Sequence, residues 1–182
     1  MRRKSKPAAQ SPLRAALRPE SRLLDEVRDG LGAIKSADRS CLHVEIRSAF
    51  ADSLEADEAL RAGHDQENRW DYLLGHSATS ALVGVEPHSA KEDQVSVVIK
   101  KRSAAIRQLA EHLREGVAVA RWLWVSSGDV YFADTERTRR RLDNAGIEFV
   151  GRRVLARHLE GLRPSGASME SLRKRNDSKG RR

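Results

Sequence analysis

Apolar positions along the chain recur at two spacings, and each spacing predicts a different kind of element. Side chains that return every three or four residues are typical of one helix face, whereas short alternating or continuous apolar runs are typical of strands. The first pattern predicts helices over residues 20–34, 48–61, 94–114, 135–145 and 153–162. The second pattern predicts strands over residues 42–46, 70–74, 81–86, 120–126 and 147–150.

Turn residues between these elements indicate how the strands connect. A polar stretch that begins at Gly75 separates the strands at 70–74 and 81–86, and it predicts a hairpin. Gly128 and Asp129 predict a turn directly after the strand that precedes them. Because the other strands are joined through helices, we expect an α/β fold with a small mixed β-sheet and helices packed on its faces.

The 182 residues carry a net charge of +8, and its distribution predicts three regions. Residues 1–19 contain six Lys/Arg and no acid, whereas residues 163–182 contain seven Lys/Arg and two acids, which leaves residues 20–162 at −3. We expect residues 20–162 to form the folded domain, between a basic disordered arm and a basic disordered tail. Such extensions either contact the phosphates of a nucleic acid or only keep the protein in solution.

The composition argues against several classes of protein. The chain has no run of about 18 apolar residues, so no membrane-spanning helix is expected, and its basic N-terminus lacks the apolar stretch of a secretory signal. Cys41 is the single cysteine, which excludes an intramolecular disulfide and a zinc site with several cysteines. The glycine motifs of nucleotide-binding loops and of serine hydrolases are missing. These features favour a cytoplasmic protein without a membrane partner.

Two carboxylates stand where the strands of the predicted hairpin would meet. Asp71 lies within the first strand, and Glu86 ends the second. Alternation along the second strand puts Gly84, Glu86 and His88 on one face, and Gly84 should leave open space beside Glu86. Paired carboxylates are suitable ligands for Mg²⁺, which polarises a phosphodiester and activates water. The common alternative is a pair of solvated residues at the rim of a sheet.

The order of elements and acids resembles the restriction-endonuclease-like, or PD-(D/E)xK, nuclease superfamily. The resemblance covers residues 48–150, with Asp71 at the motif aspartate and Glu86 at the (D/E)xK acid, within the sequence GVEPH. It implies a core of a helix, a three-stranded meander, a second helix and a further strand. It also implies that Asp71 and Glu86 bind Mg²⁺ or Mn²⁺ and that the protein cleaves DNA.

The chain departs from the family pattern at the basic position. His88 stands where the motif has lysine, no proline precedes Asp71, and Pro87 predicts that the strand ends or bulges there. Some family members carry the basic residue on the helix after the third strand of the meander. On that helix Lys101 lies at the flank of the apolar stripe, whereas Lys100 should point to solvent. Lys101 or His88 is therefore expected to position or deprotonate the attacking water.

The helix predicted before the meander offers a third acid. Family members often place a carboxylate there, and Asp57 continues the stripe set by Phe50 and Leu54, with Glu58 as its alternative. Asp57 would then complete the acidic metal site. The simple alternative is a helix whose apolar face ends early.

Two further features concern the core and the surface. Trp122 and Trp124 share one side of an apolar strand and predict core packing. The run RTRRR over residues 137–141 is either a solvated helix face or a grip on a phosphate backbone. Two functions remain open: a Mg²⁺-dependent endonuclease, or an inactive nuclease-fold protein that binds nucleic acid or acts as a scaffold.

Overall fold

A computed structural model describes residues 11–130 and 136–164. The strands are β1 (Arg28–Asp29), β2 (Phe50–Glu55), β3 (Tyr72–His76), β4 (Leu82–Ala90), β5 (Val119–Val130) and β6 (Glu148–Phe149). The α-helices are α1 (Pro12–Ala16), α2 (Ala56–Ala59), α3 (Gln94–Ala110) and α4 (Glu136–Asn144). Short 3₁₀ helices occupy Arg22–Glu26, Arg39–Cys41, Val44–Ala49 and Ala156–Leu159.

The strands form one mixed sheet in the order β1-β2-β3-β4-β5-β6. Neighbours from β1 to β4 are antiparallel, whereas β4-β5 and β5-β6 are parallel. Parallel neighbours need a crossover, which α3 supplies between β4 and β5 and α4 supplies between β5 and β6. The predicted α/β fold with a mixed sheet, the hairpin of β3 and β4, and the long helix α3 are confirmed.

Apolar residues pack on both faces of the sheet. One core includes Leu82, Val98 and Trp124, and it lies under α1, α3 and α4. The opposite core includes Val83 and Val85, together with residues of the 3₁₀ segments. Successive residues of β4 therefore alternate between two buried layers, as expected for a strand that is covered on both faces.

The helix predicted over residues 20–34 is wrong. The segment forms a 3₁₀ helix, strand β1 and turns. Leu23 and Val27 belong to one core, whereas Ile34 belongs to the other. The helix-like spacing arises because the chain passes around the edge of the sheet and buries apolar side chains on both of its faces.

The next two predicted elements are wrong as well. Residues 48–61 form β2 and the four-residue α2, and Phe50 and Leu54 belong to opposite cores. A register shift between Phe50 and Asp52 changes which face the following residues point to, so a bulged strand imitates the four-residue spacing of a helix. The strand predicted over residues 42–46 falls largely in a 3₁₀ helix, where Val44 is exposed.

Residues 11–19 belong to the folded domain, so the predicted boundary at residue 19 is wrong. Leu13 and Leu17 are buried in the core beside α3. The Asp52 carboxylate accepts hydrogen bonds from the backbone N–H of Leu13 at 3.0 Å and from the Ser11 hydroxyl. These bonds hold the start of α1 against β2.

Other predictions fall outside the described residues. The remainder of the basic arm (residues 1–10), the tail from residue 165 onwards, and the cap predicted at Asp134 or Thr135 lie there. Leu162, at the predicted end of the domain, is buried. In the part of the chain that the structure describes, no helix has the length and apolar character needed to cross a membrane.

Strands β4 and β5 run further than the sequence indicates. β4 continues through Pro87 to Ala90, beyond its last pair with β3, so the missing N–H of Pro87 removes no bond from that ladder. β5 continues through Gly128 because its residue Val130 pairs with Ala90. The strand therefore does not end at Pro87, although its register against β5 shifts between His88 and Ala90, next to the predicted end or bulge. The turn predicted at Gly128 is wrong. The helix predicted over residues 153–162 is only a four-residue 3₁₀ helix.

The two sides of α3 provide a test of the packing. Leu109 is buried, whereas Ile106, which the apolar stripe predicts to be buried, is 43% exposed. We expect Leu109→Ala to lower the free energy of unfolding by about 2–5 kcal/mol because it opens a cavity. Ile106→Ala is the matched control and should lower it by less than about 1 kcal/mol. Denaturant melts measure both, and equal small losses would contradict the packing of α3 on the sheet.

Candidate active site

The strand register brings Asp71 and Glu86 side by side. Asp71 directly precedes β3, Glu86 belongs to β4, and Tyr72 pairs with Val85. The backbone N–H of Asp71 donates to Glu86 Oε2 at 2.9 Å. The two acids therefore meet at the end of the sheet where β4 runs towards its C-terminus.

Lys101 bridges the two carboxylates. Its ammonium group donates to Asp71 Oδ1 at 3.1 Å and to Glu86 Oε1. Helix α3 follows β4 and folds back over the face of the sheet to which Glu86 points, so the Lys101 flank of the helix reaches the acids. The neighbouring Lys100 is exposed, as the helical spacing predicts.

The three charged groups differ in their exposure and ionisation. The Glu86 side chain is fully buried, whereas Asp71 is 26% exposed and Lys101 is 17% exposed. Burial, followed by the charge of Asp71, raises the pKa of Glu86 above the ordinary value of a glutamate. Burial disfavours the Lys101 ammonium, but the charges of Glu86 and Asp71 outweigh it and raise the pKa of Lys101. Lys101 therefore stays a cation that donates hydrogen bonds and has no lone pair for a proton.

His88 is the next residue on the same face of β4. Its Nδ1 lies 3.7 Å from Glu86 Oε1, and its Nε2 lies 2.9 Å from Gln94 Oε1. Because Gln94 Nε2 donates to the Asp93 carboxylate at 3.0 Å, the amide oxygen of Gln94 is the group that faces His88. That oxygen only accepts, so the Nε2 of His88 carries a proton. In the neutral ring, Nδ1 then presents a lone pair towards Glu86.

Tryptophan rings fill the space beside the acids, so the open space predicted at Gly84 is wrong. A Cβ at Gly84 would lie 2.7 Å from the Trp122 ring and 3.0 Å from Trp70 Nε1. The two rings meet edge to face, with centroids 5.0 Å apart. Glycine is required at this position because the rings occupy the volume that a side chain would need.

Asp57 and Glu58 do not join the cluster. The Asp57 carboxylate pairs with Arg69 at 3.0 Å, and Glu58 pairs with Arg61 at 2.8 Å. The backbone N–H of Asp57 lies 3.3 Å from the Asp71 carbonyl oxygen, but its side chain turns to the arginine. The bulged strand β2 replaces the expected helix, so Asp57 is not placed as the third metal ligand.

The donor set suits a hard cation with few protein ligands. Within residues 11–130 and 136–164, no group of three or more His, Cys, Asp or Glu is arranged to hold a metal ion. Asp71 and Glu86 bond to one ammonium group, so their oxygens lie within two hydrogen-bond lengths, roughly 6 Å, of each other. Such a pair fits Mg²⁺, which takes one or two carboxylates and keeps several waters.

The contact between Gln94 and His88 is the part of the site that we did not predict from the sequence. A glutamine at the first position of a helix six residues after His88 was visible in the chain. Its role depends on β4 extending to Ala90, which keeps His88 beneath the start of α3.

Comparisons with protein-family models, with curated proteins and with solved structures found no match. The interpretation of this site therefore depends on its geometry and on the chemistry of its side chains.

Packing beneath the acids leads to a stability prediction. Gly84→Ala should lower the free energy of unfolding by about 1–3 kcal/mol, because the new methyl group must displace the rings of Trp122 and Trp70. Gly128→Ala is the matched control, since nothing lies within 4 Å of a Cβ at that strand position. Thermal or denaturant melts compare the two variants. A Gly84→Ala protein as stable as the control would show that the rings do not pack against this backbone.

Proposed function

We propose that the protein is a metal-dependent nuclease that cleaves DNA phosphodiester bonds. The proposal is carried by one observation: the contact of Lys101 with both Asp71 and Glu86. These residues come from β4, from the start of β3 and from α3, and Asp71 keeps the cluster partly open to solvent. Carboxylates at hydrogen-bonding distance from a lysine are suited to binding a metal ion and a phosphate together.

The order of elements from β2 onwards supports a restriction-endonuclease-like core, although β2 and the short α2 replace the helix that the resemblance expects over residues 48–61. Strands β2, β3 and β4 form an antiparallel meander, α3 follows, and β5 returns parallel to β4. Asp71 precedes the second strand of this meander, and Glu86 lies on the third. The family resemblance assigns its acids to the second and third strands, so Glu86 lies on the expected strand and Asp71 directly before the expected one.

The two acids would divide the work of holding the metal. When bound, Mg²⁺ or Mn²⁺ polarises a phosphodiester and lowers the pKa of coordinated water. Glu86 is the rigid ligand, because it is fully buried and the Asp71 N–H holds one of its oxygens. Asp71 is partly exposed, so its carboxylate faces the side from which a phosphate would arrive.

Lys101 is the best candidate to replace the lysine of the motif. Its ammonium group contacts both acids directly, whereas the nearer nitrogen of His88 is 3.7 Å from Glu86. As a cation, Lys101 orients water and balances negative charge that develops on phosphate oxygens. Of Lys101 and His88, only His88, through Nδ1 of its neutral ring, offers a lone pair that could remove a proton from water.

A second function has a specific observation in its favour. The ammonium group of Lys101 already pairs with both carboxylates, and an ion-pair cluster of this kind also occurs in proteins in a purely structural role. His88 stands where the motif has lysine. The protein would then be an inactive nuclease-fold module that binds nucleic acid or acts as a scaffold.

Plasmid nicking with Mg²⁺ or Mn²⁺ separates the two functions. Asp71→Asn and Glu86→Gln should abolish nicking, because each removes a charged ligand and preserves the shape of the side chain. Lys101→Ala should slow nicking by about 10²-fold or more, the scale of a lost water-activating group. Lys100→Ala is the matched control on the exposed side of the same helix and should be nearly silent.

His88→Ala distinguishes, in the same assay, the two candidates for the role of the motif lysine. A loss as large as that of Lys101→Ala would assign the role of the motif lysine to His88, and a small loss would leave that role to Lys101. If folded wild-type protein binds DNA but nicks it with neither Mg²⁺ nor Mn²⁺, the nuclease proposal is overturned and the DNA-binding module is supported.

The ends of the chain extend the proposed contact with DNA. Residues 1–10 carry four Lys/Arg, and residues 165–182 carry six Lys/Arg against two acids. Deleting both segments removes no described residue and should weaken DNA binding. The slope of log affinity against log salt should become shallower, because fewer counterions are released. An unchanged slope would show that these segments do not touch phosphate.

A further inference from the structure

Helix α4 presents two arginines on the side that faces α3. Thr138 and Leu142 are the buried positions of α4. Arg137 and Arg141 each precede one of these positions, and their spacing of four residues puts them on one flank of the helix. Arg141 donates to Ser96 Oγ at 2.8 Å, which identifies this flank as the one beside the first turn of α3.

The first turn of α3 lies between this flank and the acidic cluster. Ser96 follows Gln94 by two residues, and Gln94 contacts His88 of the site. Residues two positions apart project from nearly opposite sides of a helix, so Arg141 and His88 lie on either side of α3. A helix with its side chains is about 10–12 Å wide, which puts the Arg141 guanidinium roughly 10–15 Å from the site.

The arginines of α4 differ in how far their charge is compensated. Arg140 forms an ion pair with Glu136, one turn earlier on the same helix. Among the residues that the structure describes, Arg141 forms no ion pair and instead donates to the hydroxyl group of Ser96, which is a neutral acceptor. Arg137 is exposed on the same flank as Arg141. Of these three arginines, and within the described part of the chain, Arg137 and Arg141 therefore offer positive charge without the acidic neighbour that Arg140 has.

Acidic residues at the start of α3 restrict the path of a polyanion. Glu92 and Asp93 are exposed there and would repel a phosphate placed directly over the end of the helix. A nucleic acid that reaches Asp71 would therefore pass beside α3. On one side Arg69 and Arg107 are already paired with Asp57 and Glu67, whereas the α4 side presents Arg137 and Arg141.

We propose that Arg137 and Arg141 bind the phosphate backbone of double-stranded DNA on one side of the carboxylate cluster. This inference rests on the proposed function in one respect, namely that the phosphodiester bond to be cleaved lies at the carboxylate cluster. One strand of a duplex has a phosphate every 3.4 Å along the axis, so 10–15 Å corresponds to roughly three or four nucleotides. The substrate is then an extended duplex, and a nucleotide or small phosphodiester would be too short to reach the arginines.

Binding to a 20-base-pair DNA duplex, measured in EDTA over a series of salt concentrations, tests the arginines without any cleavage. Arg141→Ala should weaken binding and reduce the slope of log affinity against log salt by about one, the effect of one lost phosphate contact. Arg140→Ala is the matched control, because it removes the same charge from the same helix, and its slope should stay near that of the wild type. Equal slopes for the two variants would overturn the proposal.

Two more variants separate charge from packing. Arg141→Lys keeps the positive charge and should retain the wild-type slope. Ser96→Ala removes the acceptor of Arg141 but no charge, so its slope should also stay unchanged. A slope that falls in Ser96→Ala as far as in Arg141→Ala would show that the contact between the helices, and not phosphate binding, produces the effect.

Cleavage assays keep this inference distinct from the proposed function. If the protein cleaves DNA, Arg141→Ala should slow nicking of the duplex. Hydrolysis of bis(4-nitrophenyl) phosphate should stay unchanged, because that small diester cannot reach α4. If the protein cleaves nothing, the binding slopes in EDTA still decide whether these arginines contact DNA. Slower hydrolysis of the small diester by Arg141→Ala would contradict a role confined to backbone binding.

Discussion

Glu86 places a carboxylate without solvent exposure inside a sheet that is covered on both faces. A lone buried charge costs several kcal/mol unless other groups pair with it and donate hydrogen bonds to it. Its partners come from separate elements: the Asp71 N–H before β3, and the Lys101 ammonium on α3. The start of β3 and the placement of α3 are therefore coupled to this one carboxylate, so the candidate site is part of the core.

The centre of the chain could be predicted because its pattern there is local. β4 alternates between two buried layers, and α3 buries one stripe, so period and length identify both elements. The same helical geometry predicts, without knowledge of the fold, that Lys101 lies at the flank of the buried stripe and that Lys100 points to solvent. The convergence of Asp71 and Glu86 needs only the further assumption of a hairpin.

The remainder could not be predicted because it depends on contacts between distant residues. The segment that contains Leu23 and Ile34 buries side chains on two faces of a sheet, and a spacing rule assumes one face. A bulge in β2 gives its apolar residues the spacing of a helix, and the predicted position of Asp57 beside the other acids is wrong for that reason. Gly84 suggests empty space from sequence, but distant tryptophans fill it.

The first described segment of the chain also ties α3 to the sheet. Asp52 of β2 holds the start of α1, while Arg18 donates to the Leu113 carbonyl, 95 residues away, and the Arg114 N–H donates to the Ala16 carbonyl. Contacts that close such long loops cost chain entropy, which the interactions made on closure must offset. The segment that contains Ala16 and Arg18 therefore completes these contacts only once its partners just beyond α3 are present. The C-terminal end of the helix that carries Lys101 is consequently secured only after the chain has been made through Arg114.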